Sequence, residues 1–136
     1  MLEEKLKQLF ETPRLEEFNK LVNPGETPLW QYWPEFVEKY LRTGKSAVTV
    51  ARIRDLLRFV VKTLDLYSIE QINTPRIIEE KLFAYKNSTS ISNTTYNTYL
   101  KNLNTYFLWL YKHEYITNNN ITKIDRCKEI STNNTL

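Results

Sequence analysis

With 136 residues, 41% hydrophobic and 26% charged, only two glycines and a net charge of +3, the sequence describes a one-domain, all-α protein rather than a hairpin-rich sheet. No apolar run approaches the ~20 residues that span a bilayer, and the opening MLEEKLKQLFE is too charged for a signal peptide. One cysteine, Cys127, excludes an internal disulfide and fits a reducing, cytoplasmic setting.

Thr12-Pro13, Thr27-Pro28 and Thr74-Pro75 have the form of helix starts, with Thr as N-cap and Pro at the first helical position. A helix over about 2–11 and another over about 13–22 precede the turn Asn23-Pro24-Gly25. Residues 1–28 carry a charge of −2. WPEFVEKYLR (33–42) follows as a helix that buries Phe36, Val37, Tyr40 and Leu41 and ends at Gly44.

The next helix runs from the N-cap Ser46 to about Leu64, with Val50, Ile53, Leu56, Leu57, Val60, Val61 and Leu64 on its apolar stripe. Arg54, Arg58 and Lys62 recur every four residues on its other side, with Arg52 at the margin. Residues 42–62 alone hold +5, with Asp55 the single carboxylate. A local excess of one sign is the footprint of a polyanionic partner.

A helix over about 75–85, burying Ile77, Ile78 and Leu82 or Phe83, leads through the loop KNSTSIS to a last long helix capped by Ser92. There Tyr96, Tyr99, Leu100, Leu103, Tyr106, Phe107 and Leu110 form the apolar stripe. The opposite face carries Asn97, Thr98, Lys101, Asn104 and Thr105 and no carboxylate. Leu108 and Trp109 fall toward that polar side, to be covered by the segment from Tyr115 onward or by a partner. A polar turn at 117–120, a short segment over 121–130 and a disordered STNNTL end complete the chain.

If the 46–64 and 92–112 helices pack through their apolar stripes, their cations and amides form one surface suited to duplex DNA. Arg and Lys neutralise phosphate, helix N-termini present N–H groups to it, and Asn bonds adenine bidentately in the major groove. On that view Asn97 and Asn102 face the bases. Plainer roles fit the same residues: a solvated arginine face, and amides that reflect the thirteen asparagines scattered through the chain. Four Asn-x-Ser/Thr sequons, at Asn87, Asn93, Asn120 and Asn133, read as by-products of that composition. His113 has no second ligand at metal spacing, and no cofactor is implied.

From about Trp33 to Ile124 the chain resembles the core-binding domain of tyrosine recombinases, the phage-integrase family. The elements carrying the resemblance are Tyr40-Leu41, then Gly44, Ser46, Thr49, Ile53 and Leu57. Ser92, Thr95, Asn97, Leu100, Leu103, Phe107, Trp109 and Leu110 follow, and last Ile116, Asn119 and Ile124. Asn120 stands where the family usually has Pro, and Asn104 where it often has a basic residue.

The resemblance implies a four-helix, SAM-like bundle at 29–116, with an acidic helical extension at 1–28 and a linker or tail at 117–136. It implies half of a DNA clamp whose second and fourth core helices grip a recombination half-site. The residues it selects are Lys45, Ser46, Thr49, Arg52, Arg54 and Arg58 on the second helix, and Ser92, Thr95, Thr98, Lys101, Asn102 and Thr105 on the fourth. The partners implied are double-stranded DNA and a catalytic recombinase domain or other protomers. The family's catalytic arginines, lysine, histidines and tyrosine cannot be assembled from this sequence, so no catalysis by this chain alone is expected. A helical protein-interaction module and a small DNA-binding regulator remain alternatives.

Overall fold

A computed structural model describes residues 2–12, 14–74 and 76–129. These form α1 (Leu2–Phe10), a 3-10 helix at Glu16–Leu21, α2 (Trp33–Arg42), α3 (Ala47–Lys62), α4 (Ile69–Asn73), α5 (Ile77–Thr89), α6 (Asn93–Lys112) and a second 3-10 helix at Asn120–Lys123. Among the described residues there is no strand, only an isolated bridge between Pro28 and Ser68. Among the described residues no helix is long and apolar enough to cross a membrane. The final STNNTL lies outside the described residues.

α3 and α6 form the most extensive helix pair, and α1 packs on α2 and α3. The apolar stripe expected of α3 is buried along its whole length, from Val50 to Leu64. Against it lie Tyr96, Leu100, Leu103, Tyr106, Phe107 and Leu110 of α6. Trp33, Phe36 and Tyr106 make the aromatic centre: Phe36 meets Tyr106 edge to face at 5.0 Å, and Trp33 lies 5.9 Å from Tyr106. The Tyr106 hydroxyl donates to the Leu29 carbonyl at 2.9 Å, and burial holds its proton well above the ordinary value of 10.0. Phe83, one of two core candidates on α5, is half-exposed, and Leu82 takes the buried place.

Neither the segment around Leu9 and Leu15 nor the one after α6 is peripheral to this core. Leu9 and Leu15 are buried in the same cluster as the helices, and the Trp33 indole N–H donates to the Leu9 carbonyl at 2.7 Å. Ile116, Ile121 and Ile124 join the cluster from the other end. Residues on either side of positions 28 and 116 thus contribute to one cluster. After α6 the chain turns back, and Tyr115 stacks on Tyr32 at 3.7 Å while its hydroxyl donates to Glu35 at 2.8 Å. That hydrogen bond raises the Tyr115 pKa. Trp109 is flanked by Phe36 at 5.5 Å and Tyr115 at 5.8 Å, so the returning segment covers it.

The Thr-Pro expectation fails. Thr27 and Pro28 run beside residues 67–69, where the Ile69 N–H donates to the Thr27 carbonyl at 2.9 Å. Thr74 closes α4, and α5 starts only after Arg76 in a left-handed conformation. In place of a helix over 13–22 there is the short 3-10 helix, preceded by Leu15 without a side-chain cap; Pro13 and Pro75 lie outside the described residues. α4 itself was not foreseen. Its capping box, with Ser68 accepting from the Gln71 N–H and the Gln71 side chain accepting from the Ser68 N–H, is written in the sequence as SIEQ. α5 continues through the expected KNSTSIS loop to Thr89, with the Ser88 and Thr89 hydroxyls bonded back to the Tyr85 carbonyl.

Candidate nucleic-acid interface

At 100° per residue, positions 52 and 54 of a helix stand on different flanks. The arginines of α3 therefore do not act as one row. Arg52 turns toward α6, where it lines a groove of about 320 Å³ with Asp55, Leu56, Phe59, Thr98, Tyr99 and Asn102. Arg54 and Arg58 turn the other way, toward Gln8, Glu11, Thr12 and Arg14 of the N-terminal segment. Asp55 stands between the two flanks, with one carboxylate oxygen 3.4 Å from the Arg54 Nε.

The groove is the place where the two helices expected to act together do so. Phe59 and Tyr99 form its apolar wall, with ring centres 5.4 Å apart. Asn102 is 9% exposed, yet its side chain lines the groove beside Arg52. Outward from the groove α6 presents Thr94, Thr98, Lys101 and Thr105, then Lys112, with no carboxylate anywhere on the helix.

The hydroxyls are less free than the sequence implies. Thr98 and Thr105 each donate to the carbonyl four residues back, at 2.9 and 3.3 Å. With its one proton engaged, such a hydroxyl can accept from a base but not donate to a phosphate. Ser46 and Ser92 cap α3 and α6 as expected, accepting from the N–H groups of Val48 and Thr95. Ser92 also donates to the Thr95 hydroxyl at 3.0 Å. Lys45 is exposed beside the first cap; Thr49 and Thr95 are half-buried.

The other amides of α6 serve the protein itself, which corrects the expectation for Asn97. That residue is 4% exposed. Its Nδ2 donates to the Cys127 carbonyl at 2.7 Å, and its Oδ1 accepts from the Cys127 N–H at 2.8 Å. This is the two-bond pairing by which an amide reads adenine, here satisfied by backbone. Asn93 donates to the Lys128 carbonyl at 2.8 Å, and Asn104 accepts from Asn119 at 2.9 Å. Asn120 donates to the Ile72 carbonyl at 2.7 Å, a bond that Pro in its place could not make. One flank of α6 is thus a docking track for residues 119–129.

A second donor bond from Asn97, to Glu129 at 3.0 Å, holds the Glu129 carboxyl below its ordinary value of 4.5. Asn97→Ala is accordingly expected to lower stability by about 1–3 kcal/mol, since the half-buried Cys127 backbone loses both partners. The Glu129 carboxyl should rise toward its ordinary value, and DNA sequence preference should not change. Urea denaturation and an NMR pH titration check the first two outcomes.

His113 is exposed at the end of α6, its ring 4.4 Å from Trp109. Among the described residues, no group of three or more His, Cys, Asp or Glu is placed to hold a metal ion. No protein-family model, no curated protein and no solved structure matches this chain. The class that fold and site define on their own is an all-α protein with a largely apolar groove between its two principal helices, edged by Arg52 and Asp55.

Proposed function

We propose that this chain is a duplex DNA-binding module of the kind found in tyrosine recombinases. In this reading α2, α3, α5 and α6 are the four helices of a core-binding, SAM-like bundle, and α3 and α6 lie against the major groove of a recombination half-site. The observation that carries it is the groove shared by Arg52 with Thr98 and Asn102, where Asp55 is the single acid, beside α6, which presents Lys101 and Lys112 and has no carboxylate of its own. Lys45 and the exposed lysines reach phosphates, while the Asn102 amide is the candidate for reading a base edge. The chain grips and orients DNA, and catalysis belongs to a separate recombinase domain or protomer.

The test is fluorescence anisotropy with a labelled duplex over a salt series. About four phosphate contacts predict that log K falls with log salt at a slope near −4. A flat salt response, or no duplex binding at 50 mM salt, rejects the proposal. Salt-insensitive capture of a protein instead would favour the interaction-module alternative.

A further inference from the structure

On the flank of α3 away from α6, Arg54 and Arg58 meet Arg14 around a cavity of about 170 Å³ that Gln8, Glu11 and Thr12 also line. Like charges gathered this closely repel unless something of opposite sign compensates them. Two carboxylates are at hand, Glu11 in the cavity wall and Asp55 beside Arg54, which leaves one guanidinium in surplus. The confinement is real: the Arg54 side chain is only 25% exposed, and Arg58 is half-buried.

A second observation points the same way. The Thr12 hydroxyl is buried without a hydrogen-bond partner among the described residues. A buried hydroxyl ordinarily has one. Thr12 also lines the cavity, so a side-chain rotation would bring this unpartnered hydroxyl to walls that already hold three planar guanidinium forks, the geometry that suits a tetrahedral oxyanion. At about 30 Å³ for a water-sized group, the cavity has room for the five heavy atoms of one phosphoryl group, and its open mouth leaves the remainder of a pyrophosphate or a DNA backbone in solvent.

We infer that Arg14, Arg54, Arg58 and Thr12 form a phosphate-binding cradle between the N-terminal segment and α3. The oxyanion chemistry stands on these residues alone; that the phosphate belongs to a DNA backbone rests on the proposed function. An α-helix fills the width of the major groove, so α3 bound there would face one strand's phosphates with Arg52 and the other's with this cradle. Glu11, in the cavity wall, is the internal competitor, its carboxylate offering the guanidinium forks an anion that phosphate must outcompete.

The experiment titrates sodium pyrophosphate against sodium chloride at matched ionic strength, read by thermal shift and by calorimetry, and repeats the duplex salt series. Pyrophosphate should raise the melting temperature of the wild type. Glu11→Gln should bind it more tightly, a gain that misfolding cannot mimic. Arg58→Gln should bind about tenfold more weakly or worse, Arg58→Lys should fall between, and Lys39→Gln on α2 should match the wild type. If Arg58→Gln also lowers the duplex salt slope by about one, the phosphate is the DNA backbone's; an unchanged slope assigns the cradle to free phosphate. Pyrophosphate binding without duplex binding keeps the cradle and rejects the proposed function. No pyrophosphate effect in the wild type or Glu11→Gln overturns the cradle, whatever the duplex result.

Discussion

Reversing Arg52 and Lys101 together, as Arg52→Glu with Lys101→Glu, should weaken duplex binding by about 60-fold or more at 0.1 M salt. With ~0.9 counterions released per phosphate, each contact contributes nearly tenfold at 0.1 M relative to 1 M salt, so losing two gives that factor. The two new carboxylates would repel the backbone and increase the loss. Arg52 lines the α3–α6 groove and Lys101 is exposed on the adjoining stripe of α6, so neither substitution opens the core. Helicity by circular dichroism should be unchanged. Asp55→Asn should do the opposite, because it removes the groove's carboxylate, and its gain should shrink as salt rises. Equal affinity in both variants and the wild type would dismiss the groove as the contact surface.

Trp33→Ala should unfold the protein or leave it close to unfolding. Trp33 is fully buried, with Phe36 at 5.5 Å and Tyr106 at 5.9 Å. Truncating so large a buried ring costs about 3–5 kcal/mol. The Leu9 carbonyl, buried and bonded to the indole, would add about 1–3 kcal/mol on losing its partner. A domain of this size has roughly 5–15 kcal/mol in total. Trp33→Phe keeps much of the ring and loses the hydrogen bond, so its cost should be the smaller one. In that variant hydrogen exchange should speed up first in α1, whose link to α2 is the bond removed. Urea unfolding of the pair separates the packing loss from the polar one.

Helix periodicity made much of this legible. α2 falls on the expected residues 33–42, and Ser46 and Ser92 cap the helices they were assigned to. Each of these rests on local chemistry, an apolar repeat or a hydroxyl at a helix start. What the sequence could not separate were uses of one chemistry by two partners. An amide on α6 satisfies a base edge or a peptide group equally well, and only the return of residues 119–129 decides that Asn97 and Asn104 have peptide and side-chain partners while Asn102 faces the groove.

The arginines of α3 posed a similar problem. That positions 52 and 54 diverge follows from the helical repeat, but which flank meets α6 and which meets the N-terminal segment depends on tertiary packing. The Thr-Pro pairs misled for a different reason. Their preference is weak, and at Thr27 the longer-range bonds to Glu70 and Ile69 override it. α4, only five residues long, has too few positions to show a period.

That Leu9 and Leu15 share an interior with Ile121 and Ile124 has a consequence for biosynthesis. On the ribosome, the segment through Asn104 emerges with Asn97, Asn104 and the Ile72 carbonyl still waiting for partners held in the exit tunnel. The nascent chain can coil and collapse early, yet its native state closes only when the segment around residue 124 clears the exit tunnel. Maturation of this molecule is therefore a late, all-at-once event rather than a stepwise one.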